Sequence, residues 1–157
     1  MIGGALNSLE VSGSVGYDAD TTAIKVGSVT GDVDFLGGVT GNVYLKDGLT
    51  GNIVSTVIDG AISTTGSVGS ISVGSVSGID GAGISVTNNV NAPIEINGSV
   101  GYNADETAIK VGSVIGNVVS SGSIDGSITL DGSNSEITGA ISTTGAVGSI
   151  SVGGGVG

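Results

Sequence analysis

Ile24-Lys-Val-Gly-Ser-Val-Thr-Gly-Asp-Val33-Asp-Phe-Leu-Gly-Gly-Val-Thr-Gly-Asn-Val43-Tyr-Leu45 decides how this chain folds. It is one short unit laid end to end: an apolar residue, a spacer, a glycine, a spacer, then an apolar–polar–apolar triplet. The triplets are Ile24-Lys25-Val26, Val33-Asp34-Phe35 and Val43-Tyr44-Leu45. Side chains on a strand point to alternate faces, so a triplet with apolar ends is the smallest half-buried strand. The middle residues Lys25, Asp34 and Tyr44 then face water. A helix is excluded, because each interior glycine costs about 1 kcal/mol there and β-branched residues add to the cost.

Outward from this stretch, the same triplet begins at Leu9, Ile71, Ile84, Ile94, Ile109, Ile128 and Ile150, with weaker versions at Ile53, Ile62, Val118 and Ile141. Most successive triplets repeat at a spacing of roughly 9–10 residues. An extra apolar residue, such as Val29, Val39, Leu49 or Ile58, lies four positions before many of them, with a glycine between. Strands of three residues are too short to persist as isolated hairpins. Coiling the chain so that each unit stacks on its equivalent, about 4.8 Å along an axis, gives every strand a partner above and below. The expected fold is therefore all-β: a β-solenoid (parallel β-helix) of 9–10-residue units.

The chain is also internally duplicated. Residues 9–33 match 94–118 at 18 of 25 positions, and 58–78 match 137–157 at 16 of 21. This divides it into a lead-in at 1–8, a first solenoid copy at 9–93 and a second at 94–157, all one continuous domain. Eight triplet steps separate Leu9 from Ile94. Eight divides by two, so four coils of about 20 residues with two flat sides fit the copy; a three-sided coil fits less well.

Composition narrows the function classes. The chain has 157 residues, 32 of them glycine, with one proline and 3% aromatics, so its core consists of small aliphatic side chains. There is no Gly-X-Y period and hence no collagen helix. Three Lys against 14 Asp plus Glu give a net charge of −11, which repels nucleic acid and anionic membrane surfaces alike. No apolar run is long enough to cross a membrane as a helix. His, Cys, Arg and Trp are all absent. A serine nucleophile would have only lysines or carboxylates as a base, and the sequence is read as non-enzymatic. No signal peptide is evident.

Two irregular stretches stand out, Gly16-Tyr-Asp-Ala-Asp-Thr-Thr-Ala23 and Gly101-Tyr-Asn-Ala-Asp-Glu-Thr-Ala108. They are expected to leave the same edge of the rod four coils apart. Asp18, Asp20, Asp105 and Glu106 offer hard oxygen ligands for calcium, without the ligand count of an EF-hand loop. The competing reading is a solvated turn. Ser63-Thr-Thr and Ser142-Thr-Thr recur once per copy, too few for a threonine ladder that orders water.

The unit Gly-x-Val-Thr-Gly-Asn-Val-x-Leu at Gly37–Leu45, echoed at Gly27–Phe35, resembles bactofilins, the polymerising β-solenoid cytoskeletal proteins. It also looks like the repeats of bacterial surface adhesins and phage fibre or appendage proteins. Both resemblances imply a structural, self-assembling element: a fibre, appendage or adhesin segment that is extracellular or virion-borne, or a cytoplasmic cytoskeletal polymer. The expected partner is the chain itself, as a filament, a homo-oligomer or a trimer. A calcium- or glycan-binding solenoid module contacting a cell surface is the further alternative.

Overall fold

The computed structural model describes residues 2–16, 22–78, 82–101, 106–131 and 135–153. Every strand pairing in it is parallel. The first sheet runs β1 (Ile2–Leu6), β3 (Thr22–Val29), β6 (Asn42–Leu45), β8 (Ile62–Thr64), β10 (Ile84–Val90), β12 (Thr107–Val114), β14 (Ile124–Leu130), β16 (Val147–Val152). The second runs β2 (Leu9–Val11), β4 (Val33–Phe35), β7 (Ile53–Asp59), β9 (Ile71–Val76), β11 (Ile94–Ile96), β13 (Val118–Ser120), β15 (Ile141–Thr143), with β5 (Val39–Thr40) also paired to β7.

The triplets alternate strictly between these sheets. Leu9, Val33, Ile53, Ile71, Ile94, Val118 and Ile141 are stacked partners in the second, while Ile24, Val43, Ile62, Ile84, Ile109, Ile128 and Ile150 stack in the first. A coil is thus two units, and the sheets are half a coil apart, facing each other across one core. All fourteen triplets read from the sequence lie in these ladders. The solenoid makes about six turns of roughly 22 residues. The coil is slightly longer than two bare units because some successive triplets are 13 or 15 residues apart, as from Ile71 to Ile84 and from Ile94 to Ile109. Six rises of about 4.8 Å make a rod about 30 Å long.

The extra apolar residue of each unit forms its own ladder at a corner. Val15, Val39, Ile58, Val76, Val100, Ile124 and Val147 form one, and Leu6, Val29, Leu49, Val68, Val90, Val114 and Ile137 the other. Phe35, Ile53, Ile71, Ile94 and Ile128 are fully buried in one continuous aliphatic cluster. The weaker triplets also belong here, for a reason that hydrophobicity alone hides. Their third residue is Ser or Thr and points inward, yet Ser55 Oγ donates to the Val57 carbonyl, Ser120 Oγ to Gly98 and Thr143 Oγ1 to Gly122. Thr64 Oγ1 accepts from the Gly66 N–H. Ser55 and Thr64 find their partners two residues on and Ser120 and Thr143 on the rung before, which removes the penalty of burying them wholly or in part.

The Asn or Asp that follows many corner glycines has an equally concrete role. Asp32 Oδ1 accepts from the Asn52 N–H at 2.8 Å, Asn42 Oδ1 from Ala61 at 2.7 Å, and Asn117 Oδ1 from Ala140 at 2.9 Å. Each side chain reaches one rung along the axis to a backbone donor that the corner geometry leaves without a strand partner. The glycines meet a different demand. Gly41 and Gly101 have φ of 119° and 100°, and a Cβ on Gly101 would overlap the Asp125 carbonyl on the next rung. Pro93 sits at a corner just before β11, as a residue without a donor should.

Not every sequence equivalence survives as a spatial one. Ser63-Thr-Thr lies in the first sheet, and its copy Ser142-Thr-Thr lies in the second. Between Val33 and Ile62 there are three triplet steps; between Val118 and Ile141 there are two. The second copy therefore lacks one whole unit. Losing one unit rotates everything beyond it by half a coil. The fold tolerates this because both sides present each unit with the same aliphatic core.

Candidate functional site

The flat faces of the rod are built from the middle residues of the triplets, and alternation sorts those residues by sheet. On the first sheet the middle positions hold Lys25, Tyr44, Ser63, Ser85 and Lys110, followed by Thr129 and Ser151. None is a carboxylate. On the second sheet they hold Glu10, Asp34, Val54, Ser72 and Glu95, followed by Val119 and Ser142. None is a lysine. A chain of net charge −11 thus puts two of its three cations on one face and three carboxylates on the other.

Between Lys25 and Lys110 the first face is a shallow trough of about 550 Å³, lined by Lys25, Tyr44, Ala61, Ser63, Ser85 and Lys110. Its floor is low because Ser63 and Ser85 are small. Its ends are high because Lys and Tyr are long. Lys25 Nζ lies 5.3 Å from the centre of the Tyr44 ring, a cation–π contact that steadies the ammonium without neutralising it. Lys110 Nζ lies 3.1 Å from Asp131 Oδ2, with both side chains about half exposed or more. Exposed pairs of this kind are worth about 0–1 kcal/mol, so the lysine exchanges partners easily. The trough offers two ammonium groups, a phenol and two hydroxyls, a set suited to holding carboxylates or a polar chain.

On the second face Val54 and Val119 are each 37% exposed, Val54 between Asp34 and Ser72 and Val119 between Glu95 and Ser142. Corner carboxylates including Asp47, Asp59 and Asp125 flank the flat faces without entering the middle rows.

Of the candidate calcium ligands, Asp18, Asp20 and Asp105 lie outside the described residues. Glu106 is exposed, and its carbonyl accepts from the Ser127 N–H at 2.8 Å. Among the described residues no three acidic, His or Cys side chains gather as a metal site. The anchors of both acidic loops are placed as expected. Their described flanking residues, Val15 and Ile24 in the first copy and Val100 and Ile109 in the second, stand four rungs apart.

Read along the chain, the polarity of the two faces is hidden, because acidic and basic middle residues simply alternate. Sorting the triplets into odd and even members reveals it, and the two-unit coil is the only knowledge needed. The chain matches no family model, no curated protein and no solved structure.

Proposed function

We propose that this protein is a structural rod that assembles with copies of itself, serving as a segment of a fibre, appendage or adhesin. The observation that carries this reading is a uniform two-sheet coil whose outermost described rungs leave part of the aliphatic core uncovered. Inward-facing residues that are buried in the middle coils are only partly buried in those rungs: Leu6, Leu9 and Val11 on one side, and Ile137, Ile141, Val147 and Val152 on the other. Ile150, the last first-sheet triplet residue of its kind, is 51% exposed. Among the described residues nothing pairs with the outer edges of β1, β2, β15 or β16. Open strand edges above an open aliphatic core recruit further strands. Further coils of matching cross-section satisfy both the backbone and the core.

The mechanism is mechanical. Continuous parallel pairing and stacked Val, Ile and Leu ladders resist bending, and a repeat of this kind transmits load from rung to rung. The Gly-x-Val-Thr-Gly-Asn-Val units that resemble bactofilins allow the same assembly physics to serve a cytoskeletal polymer. Electron microscopy of the purified chain over a range of concentrations tests the reading. Rods lengthening in steps of about 30 Å are expected; short monodisperse particles at high concentration overturn it.

A further inference from the structure

The two faces match each other. On the first sheet Lys25 and Lys110 are four rungs apart, through Tyr44, Ser63 and Ser85. On the second, Glu10 and Glu95 are also four rungs apart, through Asp34, Val54 and Ser72. Both intervals are about 19 Å at the strand spacing. The match follows from the duplication, which carries Glu10 to Glu95 and Lys25 to Lys110 at one offset.

We propose that rods pack side by side, the lysine face of one on the carboxylate face of the next, parallel and in register. Lys25 then meets Glu10 and Lys110 meets Glu95 of the neighbouring copy. Between these pairs Tyr44 meets Asp34, so its hydroxyl donates to a carboxylate. Val54 sits over Ser63 in the low part of the trough, and Ser72 meets Ser85. One rung beyond, Val119 covers Thr129. No like charges meet among these middle residues. In the fully overlapped antiparallel arrangement Lys25 faces Ser142, Lys110 faces Val54 and Glu95 faces Ser63, and no ion pair forms. An antiparallel rod recovers two ion pairs only by sliding two rungs, which uncovers the last two rungs of each copy and takes Tyr44 away from Asp34. Charge pairing together with full overlap selects the parallel arrangement.

The contact joins two different surfaces, so it does not close into a dimer. It repeats into a ribbon of rods that all point the same way. Each face is about 30 Å long and one short strand wide, on the order of 300 Å² per copy, well below the roughly 800 Å² per partner of a stable complex. A single pair is therefore weak. Packing grows strong only when rods already joined end to end present many such faces at once. The proposal thus rests on the self-association proposed above and adds its lateral geometry.

Charge-swapped variants test it. Lys25→Glu with Lys110→Glu makes both faces acidic; Glu10→Lys with Glu95→Lys makes both basic. All four positions are exposed, and circular dichroism checks that each variant keeps its β-signal. Filament width by electron microscopy and light scattering at high concentration are the readouts. Each variant alone is expected to give filaments one rod wide, and an equimolar mixture to regain multi-rod ribbons. The first variant makes the net charge of −11 more negative by four and the second makes it less negative by four. Non-specific association governed by net charge would therefore make the second variant thicken more than the wild type, and that result overturns the proposal. A mixture that stays one rod wide overturns it too. Wild-type filaments only one rod wide would refute the lateral packing and leave end-to-end assembly intact; wild-type particles that never elongate would refute the latter separately.

Discussion

Truncating one isoleucine in the middle of the stack and one at its end measures how far burial depends on neighbouring coils. Ile71 is fully buried, with Ile53 and Ile94 as its ladder partners on either side. Ile71→Ala leaves a cavity whose walls are backbone held at strand spacing, so the site cannot collapse. The cost belongs in the upper half of the usual 2–5 kcal/mol range, about 4 kcal/mol. Ile150 is the same residue in the same module, but it is 51% exposed with no rung beyond it among the described residues. Half of the roughly 1.5–3 kcal/mol for full burial is lost there, about 1 kcal/mol, and no cavity forms. With a urea slope of about 2 kcal/mol/M, the midpoint falls by about 2 M for Ile71→Ala and about 0.5 M for Ile150→Ala. The assay is urea unfolding followed by circular dichroism, at concentrations low enough to keep the rod monomeric. Equal midpoint shifts would refute rung-by-rung burial, as would a larger shift for Ile150→Ala.

Three further outcomes follow from the corners. Gly60→Ala places a Cβ against the Gly41 carbonyl in a backbone conformation of φ 155°, and should cost about 2–4 kcal/mol in urea unfolding; an unchanged midpoint would contradict the close stacking of corners. Asn42→Ala removes the acceptor for the Ala61 N–H and should cost about 1 kcal/mol, whereas Asn42→Asp keeps the acceptor and should stay within about 0.5 kcal/mol of wild type. Equal losses for the two would show that the amide serves some other purpose. Replacing a chelator with millimolar calcium should leave the unfolding midpoint where it was, because the rungs are held by backbone pairing and the aliphatic core; a rise would give Asp18, Asp20, Asp105 and Glu106 a ligand role.

The architecture was legible because its signal is short and repeated. Period-two triplets such as Ile24-Lys25-Val26 announce strands, glycines announce corners, and an even number of steps per copy announces a two-unit coil. What stayed hidden needed knowledge of which triplets are vertical neighbours. The Asn42 and Asp32 side chains bond to residues a whole coil away, a contact that no local pattern records. Ser55 and Ser120 weaken the apolar pattern while occupying core positions, Ser55 bonded to the Val57 carbonyl two residues on and Ser120 to the Gly98 carbonyl a whole coil away. The displaced Ser142-Thr-Thr motif shows the limit most clearly. Sequence identity to Ser63-Thr-Thr suggested the same place in the rod, and the loss of one unit put it on the other side. The face polarity is the same lesson at the site: Glu10 and Lys25 are neighbours in the chain and on opposite sides of the core.

The central claim, a coil of two units stacked in parallel, is tested most directly by engineered disulfides in a chain that has no cysteine. Ser63 and Ser85 are a full coil apart in sequence and are direct partners on adjacent rungs. Ser63 and Ser72 are much closer along the chain and lie on opposite sheets. Under mild oxidation Ser63→Cys with Ser85→Cys should form an intramolecular disulfide, its Cα separation falling within the roughly 4.4–6.8 Å that the bond requires. Ser63→Cys with Ser72→Cys should stay reduced. Oxidation of the second pair with the first left reduced would contradict the coil.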